Sequence, residues 1–262
     1  MMFDRRELSG ELASVRDDHA PEAIVVDAAN DFETLPSAVA ENLLPVVDSV
    51  EPLSHDDSWL PDDAPETLFE LAGDSFTIGA PGDGGVAWTR QTTPAVVFVK
   101  PRLTGSPEGF VRFLIAESLI EIGLDAPEHF LGFFGESYRS LADAVPLSPN
   151  ETYQLAVALH TAHIGVRSSE VFAGWVDSYP DLHAEWVDAG ERLEPRLGDL
   201  SRDVAIGRTD FSDAAELACS AVKHDVELPT PFDALDTAAY RNHGVEFALR
   251  WAEKTFEALE DE

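Results

Sequence analysis

The sequence predicts a helix-rich α+β fold, in which a small three-stranded antiparallel meander at about residues 75–100 packs against a multi-helix bundle. Between residues 76 and 99, short alternating or β-branched segments are separated by turn-forming residues, which is typical of a meander. After residue 107 apolar residues recur at helical spacing. There is no repeat of fixed period, so we expect residues 1–262 to form a single domain.

That domain divides into three stretches. N-terminal helices are expected over residues 1–72, the meander over residues 75–103 and C-terminal helices over residues 107–262. In the first stretch, apolar stripes at helical spacing predict helices across residues 5–50. A polar, Pro-bearing segment at residues 51–63 predicts a surface connection, and a short helix follows at residues 65–71. The three stripes are Leu8, Leu12 and Val15, then Ala23, Val26 and Asp27, and then Val39, Leu43, Val46 and Val47.

After residue 75 the sequence pattern changes from helical spacing to alternation typical of strands. Phe76 and Ile78 alternate with polar neighbours, and the segment GAPGDGG at residues 79–85 predicts a turn-rich loop. Residues 86–90 alternate between two faces of a strand, whereas residues 95–99 are apolar on both faces. A strand that is apolar on both faces is buried on both, so we expect helices to cover it.

The C-terminal helices have well-marked starts. Ser148 to Glu151 form a capping box with Pro at the first helical position. Ser106 and Thr230 each precede a Pro, which is a second common helix start. The segment at residues 110–124 is apolar nearly all round and predicts a central helix. Further helices are expected at residues 127–144, 149–166, 169–178, 180–197, 211–223 and 232–260.

The charge of the chain is strongly one-sided. Fifty Asp and Glu residues face seventeen Lys and Arg, for a net charge of -33. Such a charge repels itself in dilute buffer but is tolerable near molar salt, where the Debye length is about 3 Å. The composition therefore predicts a salt-adapted protein. It also makes nucleic acid an unlikely partner, because the global charge opposes phosphate.

The sequence predicts a cellular compartment, because features of secreted and membrane proteins are not found in it. Its one cysteine, Cys219, cannot form an internal disulfide, which fits a reducing compartment, and its helical, Ala-rich surroundings favour a buried thiol. The charged residues 1–10 precede no apolar segment of the signal-peptide type. No apolar run approaches the roughly 20 residues of a membrane span. We expect a soluble cytoplasmic protein with no membrane partner.

Four distinctive segments carry a resemblance to a known family. They are GDGGVAWTRQ at residues 82–91, VFVKPRL at 97–103, EHFLGFFGESY at 128–138 and VFAGW at 171–175. Over nearly its whole length the chain resembles an uncharacterised protein family of halophilic archaea. The resemblance implies a salt-loving source and implies no activity.

Residues 84–107 contain no Asp or Glu, although Arg90, Lys100 and Arg102 all lie there. One interpretation is a buried sheet that excludes carboxylates, with the cations paired to acidic helices. The other is a ligand site for an anion or a partner. In that site Gly82, Asp83 and Gly84 offer backbone N–H groups, and the two arginines act as forks for a carboxylate or phosphate.

Histidines suggest a second site. His160 and His163 are three residues apart on one predicted helix and therefore point to one side. With carboxylates on facing helices they could bind a metal. His224 with Glu227 and His243 with Glu246 share this spacing, but chance alone predicts such pairs. The alternative is that these histidines cap helices or bond to carbonyl groups.

Two weaker candidates lie in the central helices. Glu117 and Glu121 share a face of the most apolar helix, where a carboxylate near a core can act as an acid or base. More often such a pair meets an arginine. The aromatic segment at residues 129–135, with Tyr138 beyond it, predicts core packing or an apolar partner groove.

These observations favour a non-catalytic binding module for a protein partner or a small anionic ligand, with no cofactor. The alternative is a metal-dependent hydrolase that uses His160, His163 and helix-borne carboxylates. No catalytic signature decides between them.

Overall fold

The computed structural model describes residues 2–73, 78–80 and 84–260. Helices dominate these residues and a small mixed sheet accompanies them, which confirms the helix-rich α+β class. The chain gathers into two compact units. The first comprises Met1–Asp56, Glu70–Glu128 and Asp177–Glu185, and the second Asp57–Phe69, His129–Val176 and Trp186–Glu262. The single domain expected over residues 1–262 stays a prediction.

The strands are short and the helices vary in length. The strands are β1 (Phe3–Arg5), β2 (Ile24–Ala28), β3 (Ser49–Val50), β4 (Val86–Thr89), β5 (Thr92–Thr93) and β6 (Val96–Val99). The helices are α1 (Gly10–His19), α2 (Ser37–Ala40), α3 (Glu66–Ala72), α4 (Glu108–Gly123), α5 (Phe130–Phe134), α6 (Ser137–Ala144), α7 (Pro149–Ala173), α8 (Pro180–Leu197), α9 (Leu200–Ala205), α10 (Phe211–Ala221) and α11 (Ala238–Glu260). Among the described helices, none has both the length and the apolar character needed to cross a membrane.

The predicted three-stranded antiparallel meander is wrong. The main sheet has four strands in the order β1-β2-β6-β4. β4 and β6 pair antiparallel as predicted, but β2 runs parallel to β6, and β1 runs antiparallel to β2. The cause is the segment Ile24–Ala28, which is too short for periodicity to separate a strand from a helix. With β2 on one side and β4 on the other, β6 is a central strand whose backbone pairs along both edges.

The remaining parts of the predicted meander also differ. Its expected first strand falls mostly on residues 74–77, which lie outside the described residues. Ile78 forms an isolated antiparallel bridge with Leu35. The expected turn before Pro94 contains β5, which pairs antiparallel with β3 in a separate two-stranded sheet.

The main sheet is buried on both faces around β6. All four residues of β6 are buried, and α4 packs against it, as predicted for residues 95–99. One face contributes Phe3, Val26 and Phe98 to an apolar cluster of the first unit. On β4, Trp88 pairs in register with Val97, and its indole Nε1 donates to a carboxylate of α4 at 2.5 Å. The sheet therefore lies between an apolar cluster and α4.

The second unit is built around α7. The predicted capping box at Ser148 and Glu151 is present. The helix continues to Ala173, so the separate helix expected at residues 169–178 is wrong. α7 packs closely against α10, whose buried face consists mostly of alanines and of Cys219. Cys219 is buried, as the sequence predicts, and this burial raises the pKa of its thiol.

Non-helical backbone conformations explain why other predicted helices differ from those observed. The helix expected at residues 127–144 is split at Gly135, which has a φ of 55°. The helix expected at residues 232–260 begins at Ala238 and is kinked at Gly244, with φ 43° and ψ -116°. Ser106 and Thr230 do not cap α-helices, and the unpredicted α9 follows α8.

Candidate ligand-binding site

Two parallel strands bring charged loops together at one edge of the main sheet. β2 and β6 pair from Ile24↔Val96 to Asp27↔Val99, so their carboxyl ends lie side by side. β4 runs the other way, and its first residues lie at the same edge. We call this the carboxyl edge and define it as residues 29–33, 100–103 and 84–85. In α/β sheets, ligands commonly bind outside the carboxyl ends of parallel strands.

Arg102 is the most exposed cation of the carboxyl edge. Its Nε donates to the two Asp31 oxygens at 2.8 and 2.9 Å, and its Nη2 donates to Glu33 Oε1 at 2.6 Å. Hydrogen bonds from Arg102 lower the pKa of Asp31. The side chains of Asp31 and Glu33 are 44% and 48% exposed. The guanidinium is therefore held by carboxylates that can also turn to solvent.

Lys100 lies beneath this pair. The residue is only 1% exposed, and its Nζ is 4.7 Å from the centroid of the Phe32 ring. Its charge also contributes to the lowered pKa of Asp31. The backbone N–H of Lys100 donates to the carbonyl of Gly85 at 2.8 Å. A Cβ at Gly85, directly before β4, would lie 2.3 Å from Leu103 Cγ, so a side chain there would displace Leu103.

The structure brings together some of the predicted site residues. Gly84, Lys100 and Arg102 share the carboxyl edge, whereas Gly82 and Asp83 lie outside the described residues. Arg90 follows the far end of β4 and is at the opposite edge. There its Nη1 donates to Asp125 at 2.5 Å and its Nη2 to the carbonyl of Ile122.

A partly buried carboxylate that the sequence analysis missed lies at this opposite edge. Glu128 accepts hydrogen bonds from Thr89 Oγ1 at 2.7 Å, Arg90 N at 2.8 Å and Gln91 Nε2 at 2.7 Å. Burial raises the pKa of Glu128, although these hydrogen bonds oppose the shift. The three donors come from Thr89, Arg90 and Gln91, so the carboxylate binds the chain where β4 ends. No spacing in the sequence connects Glu128 with a strand end more than thirty residues earlier.

Residues 84–107, which contain no Asp or Glu, therefore include strands whose neighbouring arginines, Arg90 and Arg102, pair with carboxylates from other parts of the chain. Asp31 and Glu33 were equally hidden in the sequence, because they follow a segment that helical spacing assigns to a helix. Their one signal is the acidic DFE segment at residues 31–33, which begins three positions after the end of β2.

The two predicted metal-site histidines do lie on one side of α7. Both imidazoles face the Phe133 ring, with centroids 5.6 Å away for His160 and 4.8 Å for His163. Burial and the charge of Arg167 lower the pKa of His163 to about 4. Within the described part of the chain, no group of three or more His, Cys, Asp or Glu could hold a metal ion. Aromatic packing thus accounts for the geometry of both rings.

The remaining candidates are packed into the structure. Glu121 accepts the hydrogen bond of the Trp88 indole, and Glu117 is 7% exposed. Phe130 and Phe134 contact Tyr138 with ring centroids 5.3 and 6.5 Å apart. The aromatic segment is thus core packing, as the first of its two interpretations expects.

Comparison with known proteins gives a family and no activity. The chain matches no curated protein and no solved structure. The model of a family of unknown function (DUF7089) matches residues 2–259. This match covers the main sheet, the carboxyl edge and the helices of both units. The chain therefore belongs to this family of unknown function, DUF7089.

Proposed function

We propose that the protein is a non-catalytic binding module that takes a small anionic ligand at the carboxyl edge. The observation that supports this most is the convergence of Lys100 and Arg102, from the end of β6, at the shared carboxyl ends of β2 and β6. The planar guanidinium of Arg102 matches a carboxylate or phosphate group, and the buried ammonium of Lys100 adds positive charge beneath it.

Binding would proceed by exchange of one carboxylate for another. Glu33 is the carboxylate that a ligand displaces, because it accepts from the outer Nη2 of Arg102 and its side chain is 48% exposed. Asp31 accepts two hydrogen bonds from the Nε of Arg102 and stays in place. Salt weakens the exposed pair more than it weakens the interaction with Lys100, because buried charges are screened less.

The setting that we propose for this activity is the cytoplasm of a cell that accumulates salt. The net charge of -33 is the support for it. At molar salt a long charged surface gives little attraction, so a ligand must be recognised by short-range contacts such as a bidentate fork.

The test is ligand binding in about 3 M KCl, where screening leaves only short-range contacts. Thermal shift and calorimetry with phosphate, nucleotides and small carboxylates should show binding to the wild type. Arg102→Gln should abolish it, and Glu33→Gln should strengthen it because it removes the competing carboxylate. Arg90→Gln is the matched control at the opposite edge and should bind normally. Equal losses in the Arg90 and Arg102 variants, or no binding by the wild type, would overturn the proposal.

A further inference from the structure

One exposed segment of the second unit is rich in arginine. Residues 192–208 contain four of the fourteen arginines and only three acids, in a chain with a net charge of -33. They cover the end of α8, all of α9 and the turn that follows. We call the four arginines together with Ile206 the arginine surface; the arginines are Arg192, Arg196, Arg202 and Arg208.

Two of these four arginines have no carboxylate partner among the described residues. Arg192 and Arg208 pair locally with Asp188 and Asp203, and their side chains are 68% exposed. Arg196 and Arg202 are exposed, and within the described ranges of the chain neither makes an ion pair. Elsewhere the chain pairs Arg6, Arg102 and Arg241 with its own acids.

An apolar side chain lies among these cations. Ile206 directly follows α9 and is 53% exposed. Interfaces between proteins commonly combine an apolar centre with arginines, which bind through both charge and flat contact area. The arginine surface combines arginines with an apolar residue in this way, so a complementary partner is acidic and also offers an apolar contact.

The second unit also contains an acidic recess. It has a volume of about 470 Å³ and lies beside α6 and α11. Its carboxylates make no ion pair with any described residue, and its Phe256 is 6% exposed. A guanidinium forms charge-assisted hydrogen bonds with carboxylates of this kind. The recess is lined by Ser140, Asp143, Ala144, Pro146, Glu253, Phe256 and Glu257.

We infer that the protein forms a symmetric dimer, in which the arginine surface of each copy binds the acidic recess of the other. A second copy is the fitting occupant because it brings Arg196, Arg202 and the exposed Ile206 to a recess whose carboxylates make no ion pair with described residues. Twofold symmetry makes this contact twice, which doubles the buried area. Molar salt favours the dimer, because it screens the repulsion between two acidic copies beyond about 3 Å while close pairs persist.

Charge reversal in about 3 M KCl, where the two copies repel least, tests this arrangement. Sedimentation equilibrium should give the wild type twice the 28.5 kDa of one chain. Arg196→Glu/Arg202→Glu should be monomeric, and so should Glu253→Arg/Glu257→Arg. An equimolar mixture of these two variants should form a heterodimer. In it the reversed arginine surface of one variant meets the reversed recess of the other, and the second contact joins the two unchanged surfaces.

A matched control separates local pairing from total charge. Arg5→Glu/Arg16→Glu makes the same change in net charge within the first unit and should remain dimeric. Circular dichroism verifies that each variant is folded, and Arg196→Gln/Arg202→Gln replaces the first reversal if that variant is not. A monomeric wild type, a monomeric control or a mixture that stays monomeric would each overturn the inference.

Discussion

The carboxylate of Glu128 accepts a hydrogen bond from the backbone N–H of Arg90 at 2.8 Å, at the point where β4 ends. Thr89 and Gln91 donate their side chains to the same carboxylate. Gln91 in turn accepts from the N–H of Leu53 through its Oε1 at 2.9 Å. Glu128 and Gln91 thus connect the end of β4 to the segments that contain Glu128 and Leu53 in the first unit.

Glu128→Ala should destabilise the protein by about 1–3 kcal/mol, because it leaves three donors without their acceptor in a partly buried place. Chemical denaturation in molar KCl measures the loss. Glu136→Ala, at an exposed glutamate, is the control and should change the free energy of unfolding by less than about 0.5 kcal/mol. An equal, small effect of both changes would show that the Glu128 network contributes little.

Gly244 interrupts α11 with a φ of 43° and a ψ of -116°, a conformation that side chains rarely adopt. A Cβ there would also lie 3.4 Å from the Phe133 ring and 3.5 Å from that of His163. Gly244→Ala should therefore cost about 1–3 kcal/mol of stability. Gly198→Ala is the matched control, since a Cβ at Gly198 meets nothing within 4 Å. Equal melting temperatures for the two variants would contradict the strain at Gly244.

Much of the helical architecture follows from local signals. The capping box at Ser148 and the apolar character of β6 depend on neighbouring residues alone, and both predictions are confirmed. The assignment of β2 fails because five residues fit either period, and its strand conformation depends on pairing with Val96–Val99, far along the chain. Local pattern therefore predicts the helices better than the sheet.

The site could be predicted only in part, for a related reason. The cations Lys100 and Arg102 are evident in the sequence because no acid lies near them. Their surroundings are not evident, since Asp31 reaches Arg102 only because β2 lies beside β6. Arg90 belongs to the same segment but ends at the other edge, because β4 and β6 run in opposite directions.

His163 should make stability depend on pH in the acid range. Its pKa is about 4 in the folded protein and 6.5 as a free group, so the unfolded chain takes up a proton first as the pH falls. Its contribution is therefore complete above pH 6.5 and is lost between pH 6.5 and 4. Because the ring is partly solvated, the loss should be at most about 2 kcal/mol.

Unfolding measurements from pH 7 to about 4 check this dependence. His163→Gln removes the titrating group, so its stability should fall less steeply than that of the wild type. His243→Gln is the control, because His243 is exposed. The same slope for the wild type and His163→Gln would mean that other groups cause the dependence.

The fold itself should require salt. With a net charge of -33, the compact state repels itself once screening weakens, and the Debye length grows from under 3 Å in multimolar KCl to about 10 Å at 0.1 M. We therefore expect circular dichroism to show loss of helix as KCl is lowered over this range. Glu22, Glu41 and Glu216 are exposed and have no described partner, so changing all three to glutamine removes repulsion without removing a contact. The triple variant should stay folded at lower KCl than the wild type. A wild type with the same helical spectrum and melting temperature in dilute buffer would show that the acidic surface does not limit stability.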